Sequence, residues 1–398
     1  MENKVVRTSD VKTLIKSNIR SYSMFIVLML IMAIFAFLTG GINLSPRNIT
    51  NIFFQYSYVL ILAVGMVMVI IVRGIDLSVG SVCAFVGALS AMIYNTGVGM
   101  PITLAASLMI GMGIGAWQGM WVAYAKIPAF IVTLSGMLLF RGLTLTVTRV
   151  RPISLMDDYY RRLSTGTLDE ALGLGRIGPF FPMAIVMALV FILLFFAVEF
   201  IGRRKKIAND FEVTPIPLFI AKLAAISVLV LWLAERFARF RGLPNVVIVI
   251  GVTVFIFHFI LNHTVLGRYI YAVGGNDRAA KLSGIHAERV TLVVFIFMGG
   301  LAGLAGVIFT GLMNTALPGA GNLFELDAIA ASYIGGVSAA GGIGSVIGVI
   351  VGGLVMSAIN NGMSLMNLGH HLQLVVKALI LLLAVFYDIY TRRKSGLG

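Results

Sequence analysis

About twelve stretches of this chain are apolar over a length able to cross a bilayer, and that repetition constrains the fold more than any other feature. They lie near residues 24–40, 49–72, 78–95, 102–125, 128–150, 182–201, 216–234, 244–262, 291–314, 325–340, 342–365 and 370–390. A helix of about 20 apolar residues crosses the hydrocarbon core. It also pairs its own backbone N–H and C=O groups, which lipid cannot do for it. Composition agrees: of 398 residues 59% are hydrophobic and 12% are charged, against about 25% charged in a soluble domain. The chain therefore reads as an all-α polytopic membrane protein with about 12 transmembrane helices (10–12). This excludes a soluble globular domain, a disordered chain and a disulfide scaffold, since Cys83 is the one cysteine. The run 325–340 is short for a full crossing and reads as a re-entrant or broken helix.

The net charge of +14 marks orientation rather than a nucleic-acid partner, because the basic residues fall between apolar runs. Lys4, Arg7, Lys12, Lys16 and Arg20 precede the first run, and Arg392, Arg393 and Lys394 follow the last. An even number of spans puts both termini on one side. Counting alternate loops then gives eighteen basic residues inside against nine outside, which predicts an N-in and C-in chain. The segment Glu235–Arg241 looks cytoplasmic locally, so topology is least determined over 182–262. The domain reading is a cytoplasmic segment 1–23, a single transmembrane permease domain 24–390 and a cytoplasmic tail 391–398. The first stretch does not read as a cleaved secretory signal, because it has a long basic region and no small-x-small site.

Two parts of the chain resemble each other, which predicts two related halves. Residues 80–97 and 344–362 share Gly-Ser-Val, then Val-Gly, then Asn-x-Gly, and each follows a polar or Gly-rich break. Those breaks are Arg73–Ser78 and Gly335–Gly342. Interrupted hydrophobic segments at matching places in two halves point to a transport pathway, and in this topology the repeats run parallel. Gly111, Gly115 and Gly119, and separately Gly344, Gly348 and Gly352, recur every fourth residue. Such spacing predicts faces where helix backbones approach closely in lipid.

The chain has no equipment for covalent chemistry. No Gly-Lys pair occurs anywhere, so a P-loop is excluded. The five histidines make no His-Glu-x-x-His set, and no metal site is expected. Gly173, Gly175 and Gly178 match a dinucleotide fingerprint in spacing alone, without a preceding strand. Polar residues inside apolar runs are the pathway candidates, since exposing them to lipid is costly. These are Asp76, Gln55, Gln118, Trp117, Asn360 and Asn361. Asp76 either lines the route or caps the helix after it, and Arg73 is close enough in sequence to pair with it. Glu325 and Asp327 read as the external start of their helix, and Lys377 either faces the pathway or snorkels.

The polar stretch Gly274, Gly275, Asn276, Asp277, Arg278, Ala279, Ala280, Lys281, Leu282, Ser283, Gly284 lies between two runs, within a cytoplasmic loop at about 263–290. Asn276 or Asp277 is placed to cap a short helix that Ser283–Gly284 ends. That helix would turn small alanines outward, a shape suited to a groove on another protein. The alternative is an ordinary amphipathic connector.

Here the sequence resembles a known family. Ala279, Ala280 and Gly284 are similar to the loop by which ABC-importer permeases engage their ATPase. Together with Gly74–Ser81, Gly274–Asn276 and Glu325–Ala331, they resemble the ribose/xylose/galactose-type ABC sugar importer permeases. Pro128–Met137 and Asn360–Ser364 are closest to the xylose and multiple-monosaccharide branch. Arg278 departs from the glutamate usual in the general importer loop. The resemblance implies a permease subunit of an ATP-driven monosaccharide importer in a bacterial plasma (inner) membrane. It implies alternating access, a second permease copy, a cytoplasmic ABC ATPase and a periplasmic or surface sugar-binding protein. ATP and Mg would be used by the ATPase, with no cofactor held by this chain. A permease for branched-chain amino acids or nucleosides, or an ion-coupled secondary transporter, is the alternative.

Overall fold

The computed structural model describes residues 11–394, with side chains described from Met24 to Phe386 and at Ile389 and Tyr390. The terminal basic residues that carry much of the orientation argument lie outside the described side chains. Among the described residues the chain is built from α-helices, with a single pair of two-residue strands. Eight helices are long and apolar enough to cross a membrane, and three shorter apolar helices accompany them. Each of the twelve apolar runs coincides with a helix. Two compact units divide the chain, one centred on Thr167–Pro244 and the other on Asn51–Gly166 and the segment from Asn245 onward.

The smaller unit is a helical hairpin. After a single turn, α6 (Leu168–Ala171), come α7 (Pro182–Ala208) and α8 (Ile216–Phe240). Both long helices begin with proline in the first turn, where the missing N–H costs nothing. Asp169 fixes the base of the hairpin from within. Its carboxylate accepts the Met183 amide at 2.9 Å and the Leu243 amide at 3.0 Å. The first of these satisfies an orphan donor at the start of α7. Gly242, at φ +88°, lies so close to that carboxylate that any Cβ would collide with it.

The larger unit is organised around helices that are apolar on every side, the pattern of a buried helix rather than a surface one. The helix α2 (Pro46–Ile71) is buried along most of its length. It is followed in the chain by α3 (Val79–Tyr94), α4 (Met100–Ala123) and α5 (Ala129–Thr148). The second half supplies α9 (Asn245–His263), α10 (Val265–Gly275), α11 (Asp277–Leu282) and α12 (Ala287–Met313). It continues with α13 (Phe324–Ile334), α14 (Val346–Leu365) and α15 (His370–Lys394), while α1 (Val11–Leu38) opens the chain. The expected loop at 263–290 is thus largely helical, because α10 occupies eleven of its residues. The buried helix α2 meets α12 at Gly65 and α14 at Leu60.

Small residues set the tightest contacts. Gly111 and Gly115 of α4 meet Gly299 and the Phe295 carbonyl of α12, backbone against backbone, and Gly119 reaches Leu292. Gly348 and Gly352 of α14 meet Gly335 and Ala331 at the end of α13. Gly344 departs from the expected ridge. It precedes the helix and touches Ile71 and Val337, because α14 starts only after Ser345, whose hydroxyl caps the Gly348 amide at 3.0 Å.

The far end of α12 carries a short ribbon. Strand β2 (Thr315–Ala316) pairs antiparallel with β1 (Ile153–Ser154), joining the exits of α12 and α5. Nearby, the Tyr160 hydroxyl lies 2.6 Å from Ser90, and Tyr94 donates to Asp157 at 2.5 Å. That hydrogen bond, with one from the Tyr159 amide, holds the Asp157 carboxyl below its ordinary range. The segment that follows α5 is therefore anchored at residues 153–160.

Gly115→Ala would drive a methyl into the Phe295 backbone, whereas Gly113→Ala on the same helix meets open space. Overpacking of this kind costs about 1–3 kcal/mol. Thermal unfolding in detergent is expected to show a lowered Tm for G115A and an unchanged or slightly raised Tm for G113A.

Candidate functional site

The segment between α9 and α12 is capped as its local sequence requires. The Thr264 hydroxyl accepts the Gly267 amide at 3.2 Å and starts α10. Asn276 Oδ1 accepts the Ala279 amide at 3.0 Å and starts α11. Ser283 ends α11, and Gly284 follows at φ +82°, the left-handed conformation that suits glycine after a helix. Lys281 then pins α11 to the next helix, with its ammonium 2.9 Å from Asp277 and 3.1 Å from Glu288. These two carboxylates raise the Lys281 pKa above the usual lysine range.

The surface of α11 differs from the expected one. Arg278, Ala279, Ser283 and Gly284 are exposed, but Ala280 is buried, so only one of the two alanines faces outward. Leu282 is 91% exposed. An aliphatic side chain so uncovered, on a helix too short and polar to enter lipid, forms a small apolar knob beside Ala279 and the charge of Arg278.

The break after α2 touches this segment directly. Arg73 takes the left-handed backbone conformation at φ 65°. Its Nε donates to the Gly274 carbonyl at 2.7 Å and its Nη2 to the Gly275 carbonyl at 2.5 Å. The expected local pair with Asp76 is absent, since the turn at Arg73 sends its side chain to the end of α10 instead. The second Gly-rich break arrives at the same place: the Gly342 amide donates to Ile71 O at 2.9 Å, and the Tyr271 hydroxyl donates to Gly344 O at 2.8 Å.

Asp76 is buried inside its break and bonds through one carboxylate oxygen. That oxygen accepts the Ser78 amide at 2.8 Å and the Ser78 hydroxyl at 2.6 Å. That hydroxyl in turn accepts the Gln118 amide at 2.8 Å. Asp76 therefore braces Ser78, the residue before α3, and does not bond the first-turn amides of the helix itself. Gln118 joins this chain, and Gly136 leaves room for it. The other candidates do not gather there. Trp117 faces outward and meets Phe140 edge-on at 6.1 Å, and Gln55 is exposed on α2. Asn360 and Asn361 are buried on α14.

The charged residues of α13 and α15 are brought together by the fold. Glu325 and Asp327 occupy the first turn of α13 and are both buried. Lys377 of α15 meets Asp327 at 3.0 Å. Glu325 lies against Gly80 at the start of α3, where a Cβ would overlap its carboxylate. Sequence reasoning missed both the Arg73 clasp and this ion pair. The second was signalled, since opposite charges stranded in apolar runs need each other. Among the described residues no cluster of His, Cys, Asp and Glu is arranged to hold a metal.

Comparison with known proteins adds the decisive observation: residues 48–385 match the model of the family described as branched-chain amino acid transport system / permease component. The chain belongs to that family. The xylose transport system permease protein XylH of Escherichia coli (strain K12) is 38% identical over 387 residues, 95% of this chain and 94% of that protein. XylH of Haemophilus influenzae is 38% identical over 378 residues, 95% of this chain and 98% of its own length. The ribose import permease protein RbsC of Escherichia coli (strain K12) is 36% identical over 351 residues, 87% and 88% of the two chains. No solved structure matches. The protein is a multi-pass membrane permease component, not itself an ATPase.

Removing Lys377 leaves buried Asp327 as an uncompensated charge, which costs about 3–5 kcal/mol. K377M is expected to lower Tm sharply, and D327A/K377M to recover most of the loss. A double-mutant cycle on purified protein measures both.

Proposed function

We propose that this chain is the translocation subunit of an ATP-driven importer for monosaccharides, with xylose or several pentoses and hexoses as substrates. Near-full-length similarity to permeases named for xylose and ribose supports the sugar class. The family description names branched-chain amino acids instead. The sugar reading is preferred because identity to the sugar permeases extends over most of both chains.

The observation that carries the mechanism is the short helix α11, capped by Asn276, ended at Gly284, pinned by Lys281 and presenting Leu282. It has the dimensions of a plug for a groove on a cytoplasmic ABC ATPase, where ATP and Mg are used. Gly274, Gly275, Asn276, Asp277, Arg278, Ala279, Ala280, Ser283 and Gly284 form or frame this coupling segment. A second permease copy completes the pathway, and a periplasmic or surface sugar-binding protein delivers substrate. The chain crosses the inner membrane twelve times with both termini inside, as one permease domain over 24–390. Its two halves run parallel, a reading supported by the two breaks reaching the same α10–α11 segment. Asp76 and Gln118 are pathway residues of the first half, and Asn360 and Asn361 of the second. ATP-driven movement of the partner biases this bundle between inward-open and outward-open states.

Uptake of labelled xylose by cells carrying the whole importer is expected to persist when ion gradients are collapsed and ATP is maintained. Loss of uptake under those conditions would overturn the ABC reading. Leu282→Asp places a charge where an apolar knob should dock, at a cost on the order of 2 kcal/mol, or about thirtyfold in ATPase affinity. Co-purification of the ATPase with tagged permease measures it, and membrane insertion should be unaffected.

A further inference from the structure

Three segments distant in sequence converge on a single side chain. Arg73 opens the break after α2. Its guanidinium reaches the last two carbonyls of α10, Gly274 and Gly275, immediately before the residue that caps α11. Carbonyls at a helix C-terminus lack intrahelical partners and carry partial negative charge. A guanidinium with two N–H groups aimed at them makes charge-assisted bonds of the stronger kind. The second break closes the arrangement from behind. A Cβ on Gly341 would fall 2.5 Å from the Arg73 stem. Gly342 donates its amide to Ile71, and a Cβ on Gly274 would strike the Ile71 carbonyl. Backbone therefore lies against backbone where Gly274 and Gly342 meet Ile71, and the Arg73 side chain spans the remaining gap.

Both ends of this clasp lead somewhere. On one side Asn276 follows Gly275 directly and begins α11. On the other, Arg73 and Gly342 lie in the irregular segments that lead into α3 and α14. Asp76, Ser78 and Gln118 stiffen the first of those segments, and Tyr271 holds the second through Gly344.

We propose that Arg73 is a positioning residue that carries displacement of the coupling helix α11 to both interrupted halves of the bundle at once. It touches neither substrate nor ATPase. The inference rests on the docking role of α11 given above, and the experiment separates the two.

The test uses the complete importer, permease with its ABC ATPase and binding protein, in proteoliposomes loaded with ATP-regenerating mix. It reads sugar delivered per ATP hydrolysed, with xylose as the probe. For R73A the ATPase should co-purify at the wild-type ratio, because the exposed face of α11 is untouched. Sugar per ATP should fall at least about tenfold, within the range usual for a coupling interaction. R73K, whose ammonium keeps a charged donor near the same carbonyls without the planar fork, should restore the ratio to within about threefold of wild type. An unchanged ratio in R73A overturns the inference. So does loss of the ATPase from R73A alone, which would make Arg73 part of the docking surface. If R73A does not accumulate in the membrane, R73Q replaces it, with the same two outcomes. A wild-type permease that never binds the ATPase overturns the docking reading itself, a distinct result.

Discussion

A helix in lipid satisfies its own backbone, and everything else in this protein follows from the places where that stops being true. The chain leaves helical geometry inside the bundle between α2 and α3 and again between α13 and α14. Each interruption frees carbonyls and amides from the helix ladder, and any of them left unpaired away from water costs several kcal/mol. The protein answers by bringing the interruptions together and pairing them with each other, with the end of α10 and with fixed side chains. Arg73, Asp76, Ser78, Gln118 and Tyr271 supply those side-chain bonds. A transporter needs irregular backbone to move substrate, and the same irregularity must be bonded for the chain to fold. Here both demands meet in one small region.

Around that region the helices are held by closeness rather than by sequestration from water. Lipid is as apolar as leucine, so association depends on packing. Gly111, Gly115, Gly299 and Gly303 bring α4 and α12 into backbone contact over more than two turns, and Gly335, Gly348 and Gly352 do the same for α13 and α14. The Asp327–Lys377 ion pair joins α13 to α15 in a different way, directionally and at the cost of desolvating both groups.

What was legible in the sequence divides by range. Asn276 as a cap, Gly284 as a terminator and the shortness of the 325–340 helix are local properties, and each stood in the residues themselves. The helical identity of the apolar runs was equally plain, since no other fold spans lipid with such segments. Direction and distance were not legible. Arg73 stands three residues from Asp76, yet a left-handed backbone turns it toward carbonyls about two hundred residues away. Ala279 and Ala280 look equivalent, but a six-residue helix has one outer face, and only Ala279 is on it. Gly344 keeps the period of Gly348 and Gly352 although the helix has not yet begun, because Ser345 sets its start. Asp169 gave no signal at all: a carboxylate on the single turn α6 became the hidden brace of the α7–α8 hairpin.

The ribbon of β1 and β2 gives α12 a fixed end. It joins the residues after α12 to the strand after α5 through paired backbone, while at the other end of α12 Glu288 is bonded to Lys281 of α11. A 27-residue helix is about 40 Å long, so the ribbon and α11 stand that far apart at its two ends. Because α4 and α3 both meet α12 backbone to backbone at glycines, any shift of α12 toward either would overlap main-chain atoms.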